Sequence, residues 1–311
     1  MKSSIKSYII CTIIVLAFYF LLISKRIKQN KEKDILENTK EKSFDEIEKI
    51  LPYYKTNKGF LRKLNNKENK ITIQITGNNG QKVKILSNGM EGDDDYEYSF
   101  FSNNHPDQIK LNNESILYED KGQNYLEINL TQNGLNTIEI IWNYTLSNLE
   151  NMFEHCIEIE SIDFTNFDFS KVTNAKYLMG NCRNLKYVNC GNGNFRKVED
   201  MKGLFYECSS LVKVDNFFIT LNVTKIDDMF YNCNSLQSID LSNLYMPFLI
   251  GLVRGFYNCT SLETIELPNF NHSQDISENY LSGVFAFCNN LKYINLLNHV
   301  PMEKDNEKIF F

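Results

Sequence analysis

Cysteine recurs at a nearly fixed interval in the second half of this chain. Cys156, Cys182, Cys208, Cys233, Cys259 and Cys288 are spaced by 26, 26, 25, 26 and 29 residues. An apolar residue stands three positions after each of them: Ile159, Leu185, Leu211, Leu236, Leu262 and Leu291. Six positions after each stands a second, Ile162, Val188, Val214, Ile239, Ile265 and Ile294. Self-similarity at such a period is the signature of a repeat architecture, because a unit too short to bury its own apolar face must stack on its neighbours. Within a unit the L-x-x-I-x-L stretch alternates like a strand, whereas the part before it, for example VTKIDDMFYNC, carries apolar residues at helical intervals. The pattern predicts an α/β fold. About six repeats over residues 147–297, each a helix or turn followed by a strand, stack into a solenoid with parallel strands along one side.

Aligned on cysteine, the units read MFEHCIEIESIDF, LMGNCRNLKYVNC, LFYECSSLVKVDN, MFYNCNSLQSIDL, GFYNCTSLETIEL and VFAFCNNLKYINL. The stretch VTKIDDMFYNCNSLQSIDLSNL at 223–244 resembles the 26-residue surface-protein repeat of the BspA-like branch of leucine-rich repeats. The resemblance spans just under half the chain. It implies a curved leucine-rich-repeat-type solenoid displayed at a cell surface, used for adhesion or recognition and without catalytic activity of its own. The second unit departs from the pattern at CGNGNFRKV, where Gly191 and Gly193 intervene, and the fifth is lengthened after Asn269. Both are read as bulges or insertions on the convex side.

Before the repeats the chain changes character several times. After a short tail, 1–7, residues 8–24 carry no charge and are flanked by Lys2, Lys6, Lys25, Arg26 and Lys28. Seventeen such residues reach the lower limit for a membrane-spanning helix and exceed the usual signal-peptide core. The reading is a single-pass signal-anchor, with a cleaved signal as the alternative. The excess of Lys and Arg on the C-terminal flank favours a cytoplasmic repeat domain, whereas the family resemblance implies an extracellular one. Residues 25–68 read as a charged, partly helical stalk, in which apolar residues recur at helix-like intervals until Pro52 interrupts them. From 69 to 146 the period becomes two, and ITIQI–GNNG–KVKIL and YLEINL–QNG–NTIEIIW read as hairpins of a β-rich cap for the open end of the stack. Residues 298–311 form a C-terminal tail or cap. Between the hairpins, Asp93, Asp94 and Asp95 lack the alternating ligands of a calcium loop and read as solvated.

No catalytic constellation can be assembled. His105, His155, His272 and His299 are scattered without a repeated nucleophile or acid beside them. The repeat cysteines share one apolar slot without a CxxC pairing, and read as buried free thiols rather than metal ligands or disulfides. No metal or other cofactor is expected. A net charge of −6 lacks the basic excess that phosphate backbones demand, so nucleic acid is set aside. Six sequons follow the apolar segment, at Asn113, Asn129, Asn143, Asn222, Asn258 and Asn271. About five arise by chance in so Asn-rich a chain, so they decide nothing about compartment. The remaining candidate surface is the concave strand face. There Tyr187, Lys213 and Tyr293, five positions after their cysteines, and Asp163, Asn189, Asp215, Asp240, Glu266 and Asn295, seven after theirs, point away from the core. The expected partner is a protein or a glycan, with a scaffold or spacer that has no dedicated ligand as the second reading.

Overall fold

The computed structural model describes residues 69–88, 104–118, 125–191, 195–217, 222–241, 249, 251–267 and 282–296. Six strands precede the repeats: β1 (Asn69–Gly77), β2 (Lys82–Ser87), β3 (Gln108–Leu111), β4 (Glu114–Ile116), β5 (Tyr125–Asn129) and β6 (Gly134–Trp142). Each repeat then contributes one short strand: β7 (Ser161–Asp163), β8 (Tyr187–Asn189), β9 (Lys213–Asp215), β10 (Ser238–Asp240), β11 (Thr264–Leu267) and β12 (Tyr293–Leu296).

The two long hairpins predicted from alternation do not form. β1 pairs with β6 along its whole length, from Asn69 opposite Trp142 to Gly77 opposite Gly134, while β2 pairs with β5 in a separate two-stranded sheet. Both turns therefore carry the chain from one sheet to the other. The cause is apolar surface: Ile71, Ile73 and Ile75 of β1 and Val83, Ile85 and Leu86 of β2 are all buried in one core. A flat hairpin would leave those faces side by side, whereas crossing to a second layer lets inward faces meet. The crossing turns are tied together, since Gly80 N–H donates to the Leu130 carbonyl at 2.8 Å and Leu130 N–H donates to that of Gln81 at 2.8 Å. A true hairpin does join β3 to β4 through Asn112 and Asn113, whose φ values of 52° and 70° suit the tight turn that asparagine tolerates.

The first sheet continues into the repeats. β1 accepts β7 antiparallel on its free edge, with Ile73 opposite Ile162 and Gln74 opposite Ser161. β7, β8 and β9 follow in parallel register, giving a seven-stranded sheet in the order β4-β3-β6-β1-β7-β8-β9. β10, β11 and β12 form a second parallel ladder. Away from the strands a line of parallel bridges runs without interruption through Asn148, Asn174, Asp200, Lys225 and Gly251.

The α/β class expected from sequence is corrected here: the described residues contain strands, turns and one 3-10 turn at Phe195–Lys197, and no α-helix. Left-handed residues stand five and one positions before every repeat cysteine, as in Asn151 and His155, Gly203 and Glu207, Asp228 and Asn232, or Gly283 and Phe287. One such residue in every four ends any right-handed helix. What replaces it is a chain of tight turns. Met152 N–H reaches back to Leu149 at 3.2 Å and Cys156 N–H to Phe153 at 3.0 Å, while Asn151 and Phe153 donate onward to Lys176 and Leu178 of the next unit at 3.1 and 2.9 Å. Turns of this kind place Leu149, Met152, Phe153 and Cys156 on one buried side, the same spacing that a helix would use. Phe205, Phe230, Phe256 and Phe285 stack through that interior with centroids 5.1, 5.1 and 5.6 Å apart.

The single-pass membrane placement is corrected as well. No helix among the described residues is long and apolar enough to cross a membrane. Their apolar side chains lie on one face of strands no longer than nine residues, and such strands bury that face against each other. The segments 1–7, 8–24 and 25–68, the tail 298–311 and the Asp93–Asp95 loop lie outside the described residues.

Candidate functional site

Alternation along each short repeat strand buries its second residue, Ile162, Val188, Ile239 or Ile265, and turns the residues on either side of it outward. In-register pairing then lines these up across units. Ser161, Tyr187 and Lys213 form one row on β7 to β9, with Asp163, Asn189 and Asp215 beside it; Ser238, Thr264 and Tyr293 form a row on β10 to β12, beside Asp240 and Glu266, while Asn295 is paired with Glu266 along the backbone and its side chain lies outside the described residues. The row extends into the first sheet, where Gln74 lies opposite Ser161 and accepts its hydroxyl proton at 2.9 Å, and Thr72 lies opposite Asp163. Farther along, Glu139 of β6 bridges Lys70 and Lys110. This is one outward face shared by the pre-repeat sheet and the first three repeats.

The side chains on that face fall into two groups. Asp163 and Asn189 are occupied by the chain itself. Asp163 Oδ1 accepts the Thr165 amide at 2.8 Å, the Thr165 hydroxyl at 2.5 Å and Asn189 Nδ2 at 3.1 Å. Asn189 Oδ1 in turn accepts the Gly191 amide at 3.0 Å and Asn216 Nδ2 at 2.9 Å. Both residues close the turn that follows their strand, a role that periodicity alone does not reveal. Asp215 is exposed and pairs with Lys213 at 2.8 Å. Asp240 and Glu266 are exposed. Tyr187 and Tyr293 stand out with 52% and 58% of their surface accessible, against the usual tendency of aromatic side chains to be largely buried.

The cysteines form a second ladder, facing inward. Cys182, Cys208, Cys233, Cys259 and Cys288 each donate their thiol to the carbonyl of the preceding unit, at Phe153, Met179, Phe205, Phe230 and Phe256, over 3.0 to 3.2 Å. That carbonyl already accepts its own unit's cysteine amide, so each thiol supplies a second donor to a buried oxygen. Burial pushes the thiols of Cys156, Cys182, Cys208, Cys233 and Cys259 up, away from the thiolate. Among the described residues all seven cysteines are free and buried, and no cluster of His, Cys, Asp and Glu is placed to hold a metal.

A family model described as "Mycoplasma protein of unknown function, DUF285" matches residues 147–270, within the repeats and under half of the chain. No curated protein matches. Among solved structures the chain is similar to a leucine-rich cell surface protein from Faecalibacterium prausnitzii A2-165, with 18% identity and a TM-score of 0.28. The match covers 49% of this chain and 33% of that one, so the chain spans about a third of that protein's length. At that score the likeness determines neither the fold nor the partner.

The sequons divide by environment. Asn113, Asn129, Asn143 and Asn222 are exposed, and Asn271 lies outside the described residues. Asn258 differs: it is left-handed, half-buried, and its Nδ2 donates to Asn232 Oδ1 at 2.8 Å, which continues to Glu207 through Asn232 Nδ2 at 2.6 Å. Its amide nitrogen belongs to the ladder between units.

Proposed function

We propose that this chain is a recognition module without catalytic chemistry of its own, and that its outward strand face binds a protein or a glycan. The observation that carries the reading is Tyr187. A half-exposed ring stands on the next-to-last strand of a seven-stranded sheet, between Ser161 and Lys213, within a row of hydroxyl, amide and charged side chains. An aromatic ring offers a large contact area at small conformational cost, and flanking polar groups orient whatever lies across it. Tyr293 with Glu266 and Asp240 offers a second such arrangement on β10 to β12. Contact with a partner is assigned to the exposed Tyr187, Lys213, Asp215, Asp240, Glu266 and Tyr293, whereas Asp163 and Asn189, only half-exposed, close their own turns.

The experiment is binding of the full chain to glycan arrays and surface-protein libraries, repeated with Tyr187→Ala, Lys213→Ala and Tyr293→Ala combined. Loss of the captured ligand with an unchanged melting temperature supports the reading. Binding that survives all three substitutions refutes the assignment to this face. A spacer role without a ligand is the second reading, and it is favoured if no ligand is captured by the unsubstituted chain.

A further inference from the structure

We propose that the strand face is divided by a hinge between β9 and β10, about which its two halves tilt while the turn side of the stack stays intact. At every other junction the main chain is stitched at the same place: Glu160 N–H to Gln74, Lys186 to Glu160, Val212 to Lys186, Glu263 to Gln237 and Lys292 to Glu263, all within 2.8 to 2.9 Å. The corresponding bond, from Gln237 to Val212, is missing, and no strand pairing joins the neighbouring β9 and β10; the nearest main-chain bond on that side, Ser235 N–H to the Ser209 carbonyl at 3.1 Å, lies before the strands begin. On the other side the same two units remain fully bonded. Gly203, Phe205 and Glu207 donate to Asp227, Met229 and Tyr231 at 2.9, 2.9 and 2.8 Å, and Asp200 bridges Lys225.

The sequence explains why the seam falls here. Eight positions after each cysteine the other units place an apolar residue, Phe164, Cys190, Leu241, Leu267 or Leu296, but the third unit has Asn216. Asn216 is left-handed, exposed and turned back to Asn189, and the core is filled one residue late by Phe217. The return to the turn side is correspondingly short: Asp215 to Val223 takes eight steps, whereas Asp163 to Val172, Asn189 to Val198 and Asp240 to Leu249 take nine. The strand that results packs less completely. Val214 is only partly buried where Ile162, Val188 and Ile265 at the same position are 1 to 2% exposed. With the turn side fully stitched and the strands themselves unpaired, the stack bends about the turn side at little cost in apolar burial, which is how hinge positions absorb motion. A ligand spanning Tyr187 and Tyr293 would fix the angle between the halves.

Two measurements on the full chain test this. In hydrogen exchange, amides of 236–240 exchange at least about ten-fold faster than those of 262–266, whose strand is stitched on both sides. Spin labels at Ser161→Cys and Thr264→Cys, in a Cys11→Ser background, span the seam on the strand side. They give a broad distance distribution, while labels at Glu150→Cys and Val253→Cys, which cross the same units on the turn side, give a narrow one near the roughly 19 Å of four strand spacings. Equal exchange of the two amide groups, or a narrow distribution for both label pairs, overturns the hinge.

Discussion

At the scale of single residues, the most consequential group is the cysteine thiol, which is both a small apolar filler and a donor. Cys233→Ala removes the sulfur from a site with no exposure and leaves the Phe205 carbonyl with one donor fewer. The loss is expected at about 1–3 kcal/mol, read as a lowered denaturant midpoint. Burial also fixes a pH dependence. A thiol whose folded pKa lies above its unfolded value stays protonated in the native state, while the unfolded chain releases its proton near the ordinary value of 9.0. The unfolded state binds fewer protons there, so stability holds below about pH 8 and falls from about pH 9 upward, by up to about 1.4 kcal/mol per pH unit for each thiol that burial pushes up, Cys288 not among them. Tyr177, pushed up to about 12 by burial and then by nearby Asp228, adds to the decline with the same sign. Thermal melts between pH 6 and pH 10.5 check this, and a shallower decline in Cys233→Ala ties it to the thiols. A rising melting temperature above pH 9 contradicts it.

At the scale of the element, the repeat teaches why a strand was legible in the sequence and a helix was misread. Three-residue strands fall where period-two alternation places them, since alternation across a sheet has no competing explanation over so short a span. The apolar spacing of Leu149, Met152, Phe153 and Cys156 does have one. Turns broken by left-handed residues every fourth position bury the same side chains as a helix, and nothing in hydrophobic periodicity distinguishes the two. A signal was present: of the non-glycine left-handed residues, Asn112, Asn113, Asn151, Asn181, Asn216, Asn232 and Asn258 are asparagine, the side chain that tolerates this conformation best. Gly191 shows the same point from the other side. It reads as an irregularity in the second unit, yet its φ is 66° and an added Cβ would sit 2.6 Å from Thr165 Cα and 2.8 Å from the Phe164 carbonyl oxygen. Gly191→Ala is therefore expected to destabilise by on the order of 2–4 kcal/mol, the left-handed cost plus displacement of backbone that cannot swing aside. A melt within a degree of the parent protein would mean that the first and second units separate there without penalty.

At the scale of the whole molecule, the way the first repeat is covered predicts what the pre-repeat strands do. Apart from the unpaired β9–β10 junction, the units offer a strand edge and turn carbonyls to a neighbour, and the first unit would expose both. Instead β1 supplies an antiparallel partner to β7, Glu160 N–H reaches Gln74 at 2.9 Å, and Ser87 N–H at the end of β2 donates to the Met152 carbonyl at 2.9 Å. Both sheets thus contact the first unit, β1 through its strand pairing and the Gln74 carbonyl and β2 through Ser87, and the crossing of the chain between them is what brings both to it. Pairing of β1 with the distant β6 was hidden from the sequence because local alternation is silent about which strand a given edge will choose. Removal of residues 69–142 would bare the β7 edge together with Phe153 and Phe164, which are buried in the intact chain. An exposed edge beside apolar side chains recruits other chains, and a stack whose terminal unit loses its cover loses stability from that end inward. The truncated chain is expected to elute as soluble aggregates, and any monomer recovered is expected to melt several degrees lower. Single substitution of Gln74 by Pro tests the same junction without deletion, since it breaks the β1 ladder at the position facing Ser161. If the truncated repeats remain monomeric and melt with the intact chain, the first repeat closes its own edge and the pre-repeat sheet contributes only to the outward face.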